Sequence, residues 1–134
     1  MSNNSKPKIG TVTWFDLTVN NADEVKDFYS KVVGWKSDPV NMKGYNDYNM
    51  NKPGDNQTVT GICHAKGVNS NLPAQWLMYI TVENVDDSAK KCEELGGKII
   101  SVPKDMQGYG RFCVIQDPAG AVCALFEPQK IKIP

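Results

Sequence analysis

Few residues in this sequence could carry bond-making chemistry. There is one histidine, His64, and no nucleophile elbow, phosphate loop or Ser/His/Asp arrangement accompanies it. The four cysteines, Cys63, Cys92, Cys113 and Cys123, stand 29, 21 and 10 residues apart, without a C-x-x-C pair. That spacing, with Cys92 and Cys123 among apolar neighbours, predicts buried thiols in a reducing compartment rather than disulfides or a zinc site. His64, near a strand end, reads as a structural or solvent-facing residue. Asp16 is of more interest, because alternation puts it on one strand face with Trp14 and Thr18. Arg111 follows Gly108-Tyr109-Gly110 and has two readings: a partner for Asp16 or an anionic ligand, or a strand-edge salt bridge. Asp117-Pro118-Ala119-Gly120 is a turn signal with no chemistry of its own.

The elements that must position these residues occur twice. Thr18-Val19-Asn20-Asn21-Ala22-Asp23 matches Thr81-Val82-Glu83-Asn84-Val85-Asp86 at four of six positions, with a constant offset of 63 that also carries Gly34 onto Gly97. Each copy opens with a period-two strand, 11–19 and 76–82. Phe15, Leu17 and Val19 take one face of the first, opposite Trp14, Asp16 and Thr18. Met78, Ile80 and Val82 take one face of the second, opposite Leu77, Tyr79 and Thr81. A helix follows each strand, with Asp23 and Asp86 near its start and glycine past its end. The apolar stripes are Val25, Phe28, Tyr29 and Val32 in one helix, and Val85, Ala89, Cys92 and Leu95 in the other. Short strands come next: 35–36, 45–50 and 58–64, then 98–102, 111–116 and 121–126. Pro39, Pro103 and Pro53-Gly54 are read as breaks between them. Each half is thus β-α-β-β-β, and the fold class is α+β.

With 134 residues, one domain is expected over 9–128, as module one (9–65), a linker (66–75) and module two (76–128). Loose ends are expected at 1–8 and 129–134. Fifteen basic and 15 acidic residues balance to zero net charge and are scattered, which argues against nucleic acid and anionic membranes as partners. The polar first residues and the lack of a long apolar run imply a cytoplasmic protein.

The run Trp14-Phe15-Asp16-Leu17-Thr18-Val19, then Ala22 to Tyr29 and Gly34-Trp35, resembles the vicinal oxygen chelate superfamily. So do Tyr79 to Asp86, Leu95-Gly96-Gly97, Gly110-Arg111-Phe112 and Asp117-Pro118-Ala119-Gly120. That superfamily includes glyoxalase I, bleomycin-resistance proteins and extradiol dioxygenases. The resemblance implies paired βαβββ modules in a curled mixed sheet with a concave cup, commonly in a homodimer. It also implies a divalent metal on His, Gln or Glu side chains of the first and last strands. Those positions here are Trp14, Gly61, Leu77 and Ala124, none of which offers a usable lone pair. His64 points to the face opposite Gly61, and one carboxylate, Asp16, is not a metal site. No metal or other cofactor is therefore expected. The cup lining of Trp14, Asp16, Thr18, Leu77, Tyr79, Thr81, Val122, Ala124 and Phe126 mixes rings with few polar groups, as small-molecule sites do. The expected ligand-binding set is Trp14, Asp16, Thr18, Leu77, Tyr79, Arg111, Ala124 and Phe126, taking a small, partly aromatic molecule. Two alternatives stand beside this: a metal-dependent lyase, isomerase or dioxygenase-like enzyme, and a dimeric interaction module that would expose Trp35 or Tyr45.

Overall fold

The computed structural model describes residues 8–129. The loose ends expected at 1–8 and 129–134 fall outside it, apart from Lys8 and Gln129. The chain forms two compact units, one spanning 14–77 and the other 78–129 together with 8–13.

In the first unit, β1 (Val12–Val19) leads into α1 (Ala22–Val33), then β2 (Lys36–Asn41), β3 (Asn46–Asn51) and β4 (Thr58–His64). The strands lie in the order β2-β3-β4-β1, antiparallel except for the parallel β4–β1 pair. That parallel pairing follows from the helix crossover, which returns the chain in the same direction. Leu17, Val19, Ala22, Met50 and Ile62 form a buried core between α1 and the sheet, with Val25, Tyr29, Trp35, Tyr48 and Trp76 packed on it. Gly34 ends α1 in the left-handed region at φ 78°, where a residue without Cβ is favoured.

The second unit repeats the plan. β5 (Trp76–Thr81) is followed by α2 (Val85–Glu94), β6 (Lys98–Met106), β7 (Gly110–Gln116) and β8 (Val122–Pro128), in the order β5-β8-β7-β6. The Asn84 side chain accepts the Asp87 N–H and caps α2. Val85, Ala89, Cys113 and Leu125 form its core, with Ile80, Val82, Ile99 and Ile115 packed against them. A single 3₁₀ turn, Gly67–Asn69, interrupts the stretch before β5.

The paired βαβββ plan is as expected, but three local readings need correction. Pro39 and Pro103 do not break strands; they lie inside β2 and β6. Both strands stand at the outer end of their row, where one flank needs no partner and a missing N–H is tolerated. Phe28 and Val32 are not core residues, being 56% and 61% exposed. The buried stripe of α1 instead runs through Ala22, Val25 and Tyr29, and Phe28 meets Tyr29 edge-on beside it. Leu95 caps α2 rather than lining it, and is 77% exposed.

The fully buried Met50 gives a direct check. Met50→Ala is expected to lower unfolding free energy by about 2–5 kcal/mol in urea melts. Phe28→Ala, which removes a half-solvated ring, should cost well under about 1.5 kcal/mol.

Candidate functional site

On β1, side chains two apart share a face, and Trp14 and Asp16 do. The Trp14 indole Nε1–H donates to Asp16 Oδ1 at 2.8 Å. Register places Asp38, Asn49, Gly61 and Asp16 side by side across β2, β3, β4 and β1. This row lies on the sheet face opposite α1. A Cβ built on Gly61 would stand 2.4 Å from Asp16 Oδ1 and 3.7 Å from Trp14 Cζ2. Glycine thus leaves the space that the hydrogen-bonded pair occupies, and a side chain there would make Asp16 shift. The φ of Gly61 lies outside the left-handed region, so the constraint is contact rather than backbone conformation.

Two residues further along, Thr18 pairs with Cys63, and both continue this face. Burial, together with the carboxylates of Asp16 and Asp47, pushes the Cys63 thiol well above its ordinary range. A thiol held neutral in this way is a weak nucleophile. Asp47 also accepts the His64 backbone N–H at 2.8 Å. The other three cysteines are likewise free thiols, with Cys113 pushed up to about 11 chiefly by burial.

His64 itself stands apart from the Trp14–Asp16 row. Its ring lies 3.6 Å from Asp23 and 3.5 Å from Asp47, edge-on to Tyr45, with Nδ1 buried and without a hydrogen-bond partner. The Tyr48 hydroxyl donates to Asp23. That carboxylate, with burial, pushes the phenol up to about 12. Lys26 sits 4.7 Å above the Tyr48 ring. This cluster ties the start of α1 to the ends of β3 and β4, and nothing in the sequence signalled it. Asn49 and Asp47 also went unnoticed, although their alternation with Tyr48 and Met50 carries the necessary signal.

In the second unit, Ala124 pairs with Tyr79 and Val114, and Phe126 with Thr81 and Phe112. These residues share the face opposite the α2 core. Thr81, Val114 and Ala124 are fully buried there, and Tyr79 and Phe126 partly so. Val122 falls on the same side and is partly buried; Leu77, in the first unit, is fully buried. Arg111 is a correction to the expected set, because it belongs to the other face. Its Nε and Nη2 donate to the two oxygens of Asp86 on α2, at 2.8 and 3.0 Å, and Nη1 donates to Asp105 at 3.1 Å. These two carboxylates raise the guanidinium further, and Arg111 in turn holds the Asp86 carboxyl below its usual range. The bidentate clamp fixes the first turn of α2 against β7, and the Glu127 carboxylate on β8 accepts the Val85 N–H at 2.9 Å. A cavity of about 440 Å³ opens beside it, lined by Arg111, Asp105, Glu127 and the Gln107–Gly108 turn.

The donor chemistry does not fit a divalent metal. At the four positions carried over from the resemblance stand an indole, a glycine, an isobutyl and a methyl group. The indole N–H is a donor, already engaged by Asp16, and cannot ligate. Among the described residues, no group of three or more His, Cys, Asp or Glu side chains is arranged to hold a metal ion.

Two β-α-β-β-β units with this strand order define a protein of the paired-module α+β class. Residues 9–125 match the Glyoxalase/Bleomycin resistance protein/Dioxygenase superfamily, and the chain belongs to it. It is 31% identical to the candidate glyoxylase CFP32 of Mycobacterium bovis over 119 residues, which is 89% of this chain and 44% of that protein. It is 30% identical to the anthracycline biosynthesis protein DnrV of Streptomyces peucetius over 129 residues, 87% of this chain and 46% of that one. The chain thus spans less than half the length of these curated relatives. Among solved structures, methylmalonyl-CoA epimerase of Streptomyces coelicolor shares the fold at TM-score 0.53 and 13% identity, over 92% of this chain and all of that one. No helix among the described residues is long and apolar enough to cross a membrane.

The Gly61 contact predicts a coupled pair of substitutions. Gly61→Ala should cost about 1–3 kcal/mol by forcing Asp16 from the indole, and Asp16→Ala in the same chain should recover most of that loss in a urea double-mutant cycle. The raised Cys63 thiol predicts that, at pH 8, iodoacetamide labels it far more slowly in the folded protein than in guanidinium, as peptide mass spectrometry would record.

Proposed function

We propose that this protein binds a small, partly aromatic molecule on a sheet face opposite its helix, and does so without a catalytic metal. The observation that carries the reading is the Trp14–Asp16 pair seated on Gly61, which sets a ring and a carboxylate where metal ligands would stand. The residues we assign to ligand contact are, within the first unit, Trp14, Asp16, Thr18 and Leu77, and, within the second unit by itself, Tyr79, Ala124 and Phe126. Arg111, held by Asp86 and Asp105, is assigned to structure. Two relatives are named for anthracycline biosynthesis, and an anthracycline is a fused-ring aromatic compound, which agrees in kind with such a surface.

We take the protein to be cytoplasmic, consistent with its four free thiols, and to act as a homodimer. The relatives are more than twice the length of the shared stretch, with room for two such domains in one chain, and a homodimer would supply the same number. The interaction-module alternative loses its expected support, since Trp35 packs against Tyr29 and Trp76, and Tyr45 against His64.

A thermal-shift screen with planar aromatics and polycyclic antibiotics is expected to raise Tm with at least one of them, by an amount that grows with ligand concentration. The shift should persist in EDTA. A chain that takes up stoichiometric zinc or nickel and isomerises a hemithioacetal would replace this reading with an enzymatic one.

A further inference from the structure

We propose that the cavity beside Arg111 in the second unit is a further binding site, and that it takes an aliphatic diamine. It lies on the α2 side of β6, β7 and β8, away from the residues assigned to ligand contact above, and does not depend on them.

Register sets Asp105, Arg111 and Glu127 side by side across these three strands, so their side chains project from one face. That is the face α2 covers, since Arg111 donates to Asp86 in the first turn of the helix. All three residues line the cavity, whose volume of about 440 Å³ is within the range of small-molecule sites. Along the row the charges run negative, positive, negative. The positive member is already matched: three of its five N–H groups go to Asp86 and Asp105. The flanking carboxylates are not fully engaged. Asp105 takes Nη1 through Oδ1, and Glu127 takes the Val85 N–H through Oε1, so each keeps an oxygen for a further donor. With Asp86, three carboxylates stand against one guanidinium, and no lysine is among the residues that line the cavity. The surplus is negative, which selects a cation.

Spacing selects two charges rather than one. Adjacent strands lie about 4.8 Å apart, so Asp105 and Glu127 branch from backbones roughly 9.6 Å apart, with Arg111 between them. A single small cation centred in the cavity would meet the guanidinium. A chain with an ammonium at each end and methylenes between puts one cation on each carboxylate and none over Arg111. Met106 and Pro128 add apolar surface to the lining, and at Gly110 it is bare backbone, where a Cβ would collide with the Glu127 carbonyl oxygen.

Calorimetric titration of the full chain with 1,6-diaminohexane, hexylamine and 1,6-hexanediol tests this. The diamine is expected to bind at least about tenfold more tightly than hexylamine at low salt, and the diol not to bind. Added NaCl should weaken the diamine as the Debye length shortens from roughly 30 to 8 Å. Asp105→Asn and Glu127→Gln each keep the side chain's shape and remove one charge, and each should cut the diamine's advantage to within about threefold. Because Glu127 also holds the start of α2, urea melts check the fold of its variant; Asp105→Asn and the salt series leave that contact intact. In amide NMR spectra the diamine's shifts should centre on Gln107, Gly108 and Gly110, with the Trp14 indole N–H unmoved. A diol that binds as well as the diamine, an advantage unchanged in both variants, shifts centred elsewhere, or no binding by any of the three overturns the proposal and leaves the sheet-face role standing.

Discussion

The hydrogen bond from Trp14 Nε1 to Asp16 Oδ1 constrains more of the first unit than its single contact suggests. It fixes a carboxylate at a half-buried point of the sheet, over the backbone of β4, in the space that a side chain at position 61 would enter. It also takes up the only donor that Trp14 has, which leaves the face rich in acceptors. A carboxylate without a partner would be costly at this depth, and the indole offsets part of that cost at the same time as it fixes the geometry. The residue types at 14, 16 and 61 are thus one decision. A larger residue at 61 requires the Asp16 carboxylate to shift away from the indole.

The two units solve the problem of joining helix to sheet in different ways. In the first, α1 rests on an aromatic group in which the Trp76 indole donates to the Tyr29 hydroxyl at 3.1 Å and both rings pack near Trp35. In the second, α2 sits on smaller residues, Ala89, Cys113 and Leu125, and its start is pinned by ions and a cap: Asp86 to Arg111, and Val85 to Glu127. A repeat in sequence therefore does not impose a repeat in energetics. Matching residues at an offset of 63 set the order of elements, while the packing beneath each helix is particular to its unit.

What could be read in the sequence was whatever depends on neighbours one to four residues away. The alternation of β1 put Trp14 and Asp16 on one face, and β4 was bounded correctly at Thr58–His64. Glycine at 34 signalled the left-handed end of α1. The misreadings depend on distant partners. Arg111 reads as a possible ligand contact until Asp86, 25 residues earlier, is seen beneath it. Pro39 and Pro103 look like breaks because their permissibility depends on where a strand lies in the sheet, which no local pattern states. Phe28 and Val32 fit an apolar stripe by spacing, yet the helix needs only a narrow one, through Ala22, Val25 and Tyr29. The Asp23–Tyr48–His64 cluster joins three elements and leaves no trace in any one of them.

The two strand prolines carry a consequence for how the molecule can meet others. An outer strand with a regular row of N–H and C=O groups is a template on which a further strand can grow. β2 carries Pro39 between Asp38 and Val40, and β6 carries Pro103 along with register shifts between Ile99 and Lys104. Each margin is therefore interrupted midway, and sheet extension from β2 or β6 would find gaps in the ladder. The exposed Phe28 and Val32 on α1, by contrast, present side chains rather than backbone at the surface.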